Sequence, residues 1–263
     1  MNWERQRRIV ERKYKAKIRK VLLSAVKQVQ ADIELGGIEY AKNALRMEIL
    51  NTELTNIYIQ LYKETSIRFA NIIYRELRIE VRKGASFGFN EEWAREAARF
   101  LGIEGIPLIS TVTGNLRDAI LKIIEEALTD GFLEQLSLPE LIKKIISDLG
   151  EWAIGRSQYW AERIARTETV RGANYGAMQG ARKHGFKTNK IWIAADDKRT
   201  RDSHRGEDYG GLDNQVKPLD EPFFNYEPIM QPGDPKASAK NTINCRCAVA
   251  FEPVRINGKL VSK

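Results

Sequence analysis

The stretch NTINCRCAVAF, residues 241–251, holds both cysteines of a 263-residue chain, Cys245 and Cys247, with Arg246 between them. In an extended strand residues i and i+2 point to the same side, so both sulfurs would face one point. Bridging them to each other would strain the strand, whose α-carbon spacing lies at the far limit a disulfide tolerates. Two thiolates on one face suit a soft metal instead. The second dense stretch, DDKRTRDSH at residues 196–204, ends in one of only two histidines. His204 would supply a third ligand and Asp197 or Asp234 a fourth, giving a tetrahedral zinc site of His204, Cys245, Cys247 and Asp197. The competing reading makes both cysteines small buried residues of a strand. No other cofactor is indicated.

Outward from these stretches, the composition is that of a globular protein: 43% hydrophobic and 30% charged. Two cysteines are too few for a secreted disulfide scaffold, and no apolar run approaches the ~20 residues of a membrane span. No apolar stretch of signal-peptide type follows the basic start, so an intracellular start is expected. The formal charge of +8 is concentrated. Residues 1–20 hold nine Lys/Arg against two Glu, a net +7 that leaves +1 for the other 243 residues. Arg5, Arg7, Arg8, Arg12, Lys13, Lys15, Lys17, Arg19 and Lys20 are therefore the candidate contacts to double-stranded DNA or an acidic protein surface, against a solvated helix face.

The first half reads as helix. Apolar residues recur every three or four positions from Trp3 to about Glu34, and Gly36–Gly37 break the pattern. A second helical stretch runs from Ile38 to Arg82, with a break expected near Asn51–Thr55, and KGASFGF ends it. Asn90 would cap a helix over EEWAREAARF. Thr113 would cap the next, stopped by Gly131; Ser137 would cap another, with Pro139 in its first turn and Gly150 at its end. A further helix covers about Ser157–Lys183. NKIWIAA then has strand composition, with Ile191, Ile193 and Ala195 on one face and Trp192 on the other. Asp196–Ala239 is rich in Gly, Pro, Asp and Asn, a loop that specific side chains or a ligand must hold. NCRCAVAFEPV reads as a closing strand. The expected fold is α+β: a helical region at 1–112 with its basic arm at 1–20, a helical lead-in at 113–150, and a compact module with a small sheet at 151–256.

In RIARTETVRGANYG the helical spacing allows an i,i+3 pair between Glu168 and Arg171. A buried Arg–Glu pair tying this helix to the DDKRTR loop is the structural reading; a cleft holding Arg166 and Glu168 is the catalytic one. DDKRTRDSH offers an ion-pair network of Asp197, Arg199, Arg201 and His204, or a phosphate site. It also offers His204 as a general base oriented by Asp197. The chain supplies no obvious nucleophile and no Gly-rich phosphate loop.

Several motifs stand in one order: Arg166–Thr167–Glu168 within IARTET, Trp192 followed by Asp197, Arg199, Arg201 and His204, Pro222–Phe223, Pro232–Gly233–Asp234–Pro235, and Asn244–Cys245–Arg246–Cys247. Together they resemble the phage Mu F-like minor head proteins, the MuF domain family, over about residues 113–253, including the lead-in with TDGF and SLPEL. The family often has a Gly soon after the histidine, then an apolar residue and another Gly; here HRGEDYGGLDNQVKPLD spreads its glycines through a longer loop. The resemblance implies a low-copy structural protein of the virion, made in the host cytoplasm and placed in the head interior or at the portal vertex. Its implied partners are the portal protein, other head proteins and DNA, and its implied role is head assembly or DNA delivery. MuF domains also occur joined to toxin domains, so an ADP-ribosyltransferase-like or metal-dependent enzyme is the alternative. No toxin domain is evident after residue 253, which favours the non-enzymatic form.

Overall fold

The computed structural model describes residues 3–45, 47–79, 99–100, 106–206, 208 and 210–263. The elements are α1 (Trp3–Ala44), α2 (Met47–Ile79), α3 (Ile106–Leu133), α4 (Leu138–Arg182), β1 (Thr188–Ile193), a 3-10 turn (Asp202–His204), β2 (Val216–Pro218), β3 (Phe223–Phe224), β4 (Pro228–Ile229), α5 (Ala239–Thr242), β5 (Ala248–Pro253), β6 (Arg255–Ile256) and β7 (Lys259–Leu260). The fold is α+β, with long helices first and small sheets last. The expected helix after Asn90 and the KGASFGF terminator lie outside the described residues, apart from Arg99 and Phe100.

Helix boundaries follow the apolar stripe more than local breakers. The predicted break at Gly36–Gly37 is present as a kink inside α1, where Gly37 takes φ 80°. The break predicted near Asn51–Thr55 falls earlier, at Leu45. Leu50, Leu54, Ile57, Tyr58 and Leu61 form an unbroken buried stripe that carries α2 through the polar residues between them. Thr113 is no cap: it lies inside α3 and its hydroxyl donates to the Ile109 carbonyl at 3.1 Å. Gly131 lies two residues inside the end of α3, packed by Leu141.

Ser137 does cap α4. Glu140 reaches back to the Ser137 N–H at 2.8 Å and accepts its hydroxyl at 2.6 Å, and these bonds hold the Glu140 carboxyl below its ordinary range. Gly150 does not end that helix, which runs 45 residues through it. One glycine costs a helix about 1 kcal/mol, less than packing on both sides restores. Its missing side chain leaves room for Gln30, whose amide donates to the Ile146 carbonyl at 2.8 Å.

The described chain forms two compact units that interleave along the sequence. Met1–Arg12, Ile59–Gly102 and Arg163–Lys263 make one; Lys13–Tyr58 and Ile103–Glu162 make the other. The expected division at 112 and 150 follows chain order, and these units do not. Among its described residues the regular elements of the second unit are all helices, with Tyr14, Ile18, Leu22, Val26, Leu54, Leu116, Ile120, Ile124, Ile145 and Leu149 buried.

The first unit carries the motifs. Its sheet has the order β2–β1–β5, all antiparallel, with Trp192 opposite Val249 and Ile191 opposite Val216. Alternation along β1 buries Thr188, Lys190 and Trp192 and leaves Ile193 exposed. Phe69, Ile72, Ile73 and Leu77 of α2 and Val170, Ala173, Ala177, Met178 and Ala181 of α4 pack with Trp192, Phe223, Val249 and both cysteines into one core. Trp3 joins its edge, its ring 4.2 Å from that of Phe69.

In this unit α2 and α4 touch along a glycine stripe. A methyl group on Gly172 would sit 2.3 Å from the Thr65 hydroxyl oxygen, one on Gly176 2.4 Å from the Ser66 carbonyl oxygen, and one on Gly180 2.5 Å from that of Ala70. The spacing of four places all three on one helical face.

Candidate functional site

The motif residues converge at the end of β1 and before β5. Asn244 takes a left-handed φ of 58°, and Cys245, Arg246 and Cys247 follow it in irregular chain, so they precede the closing strand rather than lie in it. The sulfurs nonetheless face one ring nitrogen. Cys247 Sγ lies 3.5 Å and Cys245 Sγ 3.8 Å from His204 Nδ1, and all three residues are buried. Both cysteines are free. A hydrogen bond between the two thiol groups lowers the pKa of Cys245; the same hydrogen bond, with burial, pushes the Cys247 thiol well up.

The orientation of His204 is set by a chain of carboxamides. Glu227 accepts from the Ser238 N–H, the Ser238 hydroxyl and Asn241 Nδ2, and the Ser238 hydroxyl and Asn241 bonds hold its carboxyl below the ordinary range. A carboxylate only accepts, so Asn241 must turn its NH2 toward Glu227 and its oxygen toward His204. That oxygen also accepts from Asn225 Nδ2 at 3.1 Å. His204 Nε2, 2.9 Å from it, must then donate, which leaves the Nδ1 lone pair aimed at the sulfurs.

Asp197 is not in this cluster, which corrects the expected fourth ligand. It is exposed and pairs with Arg246 through both carboxylate oxygens, while the Arg199 N–H donates to it at 2.8 Å. Arg246 holds the Asp197 carboxyl far below its ordinary range. A carboxylate claimed by a guanidinium of the opposing strand end is not turned inward as a ligand. Asp234 is also elsewhere, accepting the Met230 N–H at 2.8 Å and the Lys236 N–H at 3.0 Å. Among the described residues no fourth His, Cys, Asp or Glu joins the three.

The remaining motifs act as fasteners. Arg201 donates to the Ile243 carbonyl, so DDKRTRDSH holds NCRC through Asp197 and His204 and the residue before it through Arg201. The side chain of Arg199 is exposed. Thr167 accepts the Asn244 N–H at 3.0 Å, and Arg166 reaches both Asn244 Oδ1 at 3.5 Å and Glu11 at 3.1 Å. The buried Arg–Glu pair exists: Arg171 donates to both oxygens of Glu168 at 2.7 Å. It also donates to the Gly233 carbonyl of PGDP at 2.9 Å, and not to the DDKRTR loop. Pro232–Asp234 is packed so closely here that a methyl group on Gly233, at φ 79°, would lie 2.9 Å from the Arg171 Cα. Burial opposes the Arg171 charge, but Glu168 and Tyr62 more than offset it and raise its pKa.

Some fasteners carried no motif. Tyr62 donates to Glu168 at 2.5 Å across more than a hundred residues of chain. Asn174 donates to the Cys247 carbonyl at 3.2 Å and accepts the Val249 N–H at 2.9 Å, pairing the entry of β5 with α4. An Asn in a helix beside Ala173, within ANYG, was the available signal. Lys190 is fully buried in β1, its ammonium donating to the Met230 carbonyl at 2.7 Å.

The basic residues at 1–20 do not form an extended arm. They lie on α1, whose inner face buries Val10, Tyr14 and Ile18. Arg7 is buried and paired with Glu4 and Glu11, and Lys15 bonds Glu162 at 2.7 Å. Lys13 and Lys17 flank the Tyr14 ring at 5.3 and 5.2 Å, and Arg19 is half-buried. Arg5, Arg8, Arg12, Lys13 and Lys20 are exposed.

A family model for Phage Mu protein F like proteins matches residues 118–250, half of the chain. The chain belongs to the Phage Mu protein F like family. The membership places it in a phage head-related group of proteins. The matched segment holds the whole constellation, from the start of α4 through IARTET, DDKRTRDSH and PGDP to NCRC. No curated protein and no solved structure matches the chain. No helix among the described residues is long and apolar enough to cross a membrane.

Proposed function

We propose that this Mu F-like protein is a minor structural component of a phage head, acting near the portal in head assembly or DNA delivery and residing in the virion. The observation that carries the reading is the occupation of the motif residues. Asp197 is paired with Arg246, Glu168 with Arg171 and Tyr62, and His204 is buried between Asn241 and two sulfurs. A catalytic set needs groups that converge on a space a substrate can enter. These three carboxyl and imidazole groups are turned to three different partners, which favours a clamped module over an ADP-ribosyltransferase-like or metal-dependent enzyme. The function then rests on surfaces. The exposed basic residues of α1, Arg5, Arg8, Arg12, Lys13 and Lys20, are the patch proposed for DNA or an acidic face of a head protein.

The test is made in heads of a phage encoding the chain. Mass spectrometry of purified heads should find it at low copy number, and cross-linking should join it to the portal protein. Full recovery of the chain in the soluble lysate, with heads that assemble and eject normally without it, would overturn the proposal.

A further inference from the structure

His204, Cys245 and Cys247 form a cluster that fastening alone does not explain. Each is at most 2% exposed, and their donor atoms all lie within 4.8 Å of one another. Both sulfurs converge on a single ring nitrogen, which can accept from one thiol at a time. Nδ1 has one lone pair, and two sulfurs approach it, at 3.5 and 3.8 Å.

A metal uses all three donors. For tetrahedral zinc, with Zn–S near 2.3 Å and Zn–N near 2.0–2.1 Å, the S···N edge of the tetrahedron is about 3.6 Å. The two observed edges bracket that length. The ring already presents the correct lone pair, because Asn241, itself oriented by Glu227, accepts the hydrogen bond from Nε2–H. Metal-bound histidines are held in this way, by an acceptor on the far nitrogen. Two thiolates with an imidazole select a soft or borderline ion and exclude magnesium and calcium.

We propose that His204 Nδ1, Cys245 Sγ and Cys247 Sγ bind one zinc ion, with a solvent molecule as the fourth donor and Asp197 outside the coordination sphere. The ion fastens the 3-10 turn that follows β1 to the segment that enters β5. Those strands pair directly, so zinc closes one end of the sheet at the place where the polypeptide is least regular. Because the donors come together only in the folded chain, binding free energy adds to folding free energy. The inference is independent of the head role and stands or falls by itself.

The experiment uses the full chain, purified without added metal or chelator. Elemental analysis should give about one zinc per chain, retained in Asp197→Asn and lost in Cys247→Ser. Cobalt(II) exchanged into the wild-type protein should show tetrahedral ligand-field absorption and a thiolate charge-transfer band. That band should fall by about half in Cys245→Ser or Cys247→Ser. Should the variants fail to fold, the wild-type chain decides alone. Its thermal midpoint should drop on chelation and recover on adding zinc, in the presence of reductant throughout. A folded wild-type chain with neither zinc nor a cobalt spectrum overturns the assignment, and so does copper in place of zinc or a Cys245–Cys247 disulfide.

Discussion

Arg171 is buried with its charge, and among the described residues Glu168, the Tyr62 hydroxyl and the Gly233 carbonyl answer its guanidinium. Removing one partner of such a pair leaves an uncompensated buried ion, which typically costs about 3–5 kcal/mol. Glu168→Gln keeps the shape and should lower the unfolding free energy from urea titration by that order; an unchanged value would mean Arg171 has another counter-charge. Lys190 makes the opposite case, a buried ammonium with no carboxylate bond. Burial, then the nearby Arg182, pushes its pKa from 10.5 down to about 8. Between those values the unfolded chain holds a proton that the folded chain has released, so this residue makes stability rise with pH from about 8 toward 10.5. The unfolding midpoint of wild type should rise relative to that of Lys190→Met between pH 7 and 9.5; parallel curves would refute the assignment. The partners of motif residues were legible in the sequence where charge and spacing restrict the choice, as for Glu168 with Arg171. Asp197 shows the limit. A carboxylate near a histidine in sequence suits a ligand or an ion pair equally, and only the fold brings Arg246 beside it.

At the scale of elements, α2 and α4 approach so closely that side chains are excluded between them. Gly176→Ala puts a methyl group on the Ser66 backbone, which cannot move aside without separating the helices. The overpacking should cost about 1–3 kcal/mol, exceeding the roughly 0.5–1 kcal/mol that alanine gains in helix propensity. Gly155, in the same helix, meets nothing within 4 Å, so Gly155→Ala should instead stabilise by up to that gain. Thermal melts of the pair should move in opposite directions; a shared sign would discount the close approach. Helices were readable from periodicity, and the Ser137–Glu140 cap from three residues of spacing. The ends marked by Gly150 and Thr113 were misread because a breaker or cap acts only where tertiary packing does not override it. The hairpin of β6 and β7 carries its own signal, Asn257–Gly258, both at positive φ. The composition of Asp196–Ala239 called for specific side chains or a ligand to hold it, and side chains contribute: Gln215 bonds both the N–H and the carbonyl of Phe224, as a neighbouring strand would.

For the whole molecule, the proposed DNA contact is testable without deleting α1, whose inner face is core. Replacing Arg5, Arg8, Arg12, Lys13 and Lys20 by Gln should weaken binding to double-stranded DNA and flatten its dependence on salt, by roughly 0.9 in log–log slope for each phosphate no longer neutralised. Equal affinities and equal slopes would separate α1 from any DNA role. The family match at 118–250 also differs from the folding unit that contains the motifs. Trp3, Glu11, Tyr62, Thr65, Ser66 and Phe69 all lie before it, yet they bond or pack against its residues. A fragment of residues 118–250 should therefore fail to give cooperative unfolding, whereas the full chain should melt cooperatively.

The pairing of β1 with β5 has a consequence for the order of events during synthesis. Translation delivers α1 before α4, and α4 before β5, at about 5–20 residues per second. Trp3 and Glu11 must wait through most of the chain for α4, and the core around Trp192 stays open until Val249 leaves the ribosome. Helices made early therefore spend seconds with apolar faces uncovered, an interval in which a chaperone or an assembly partner would find them available.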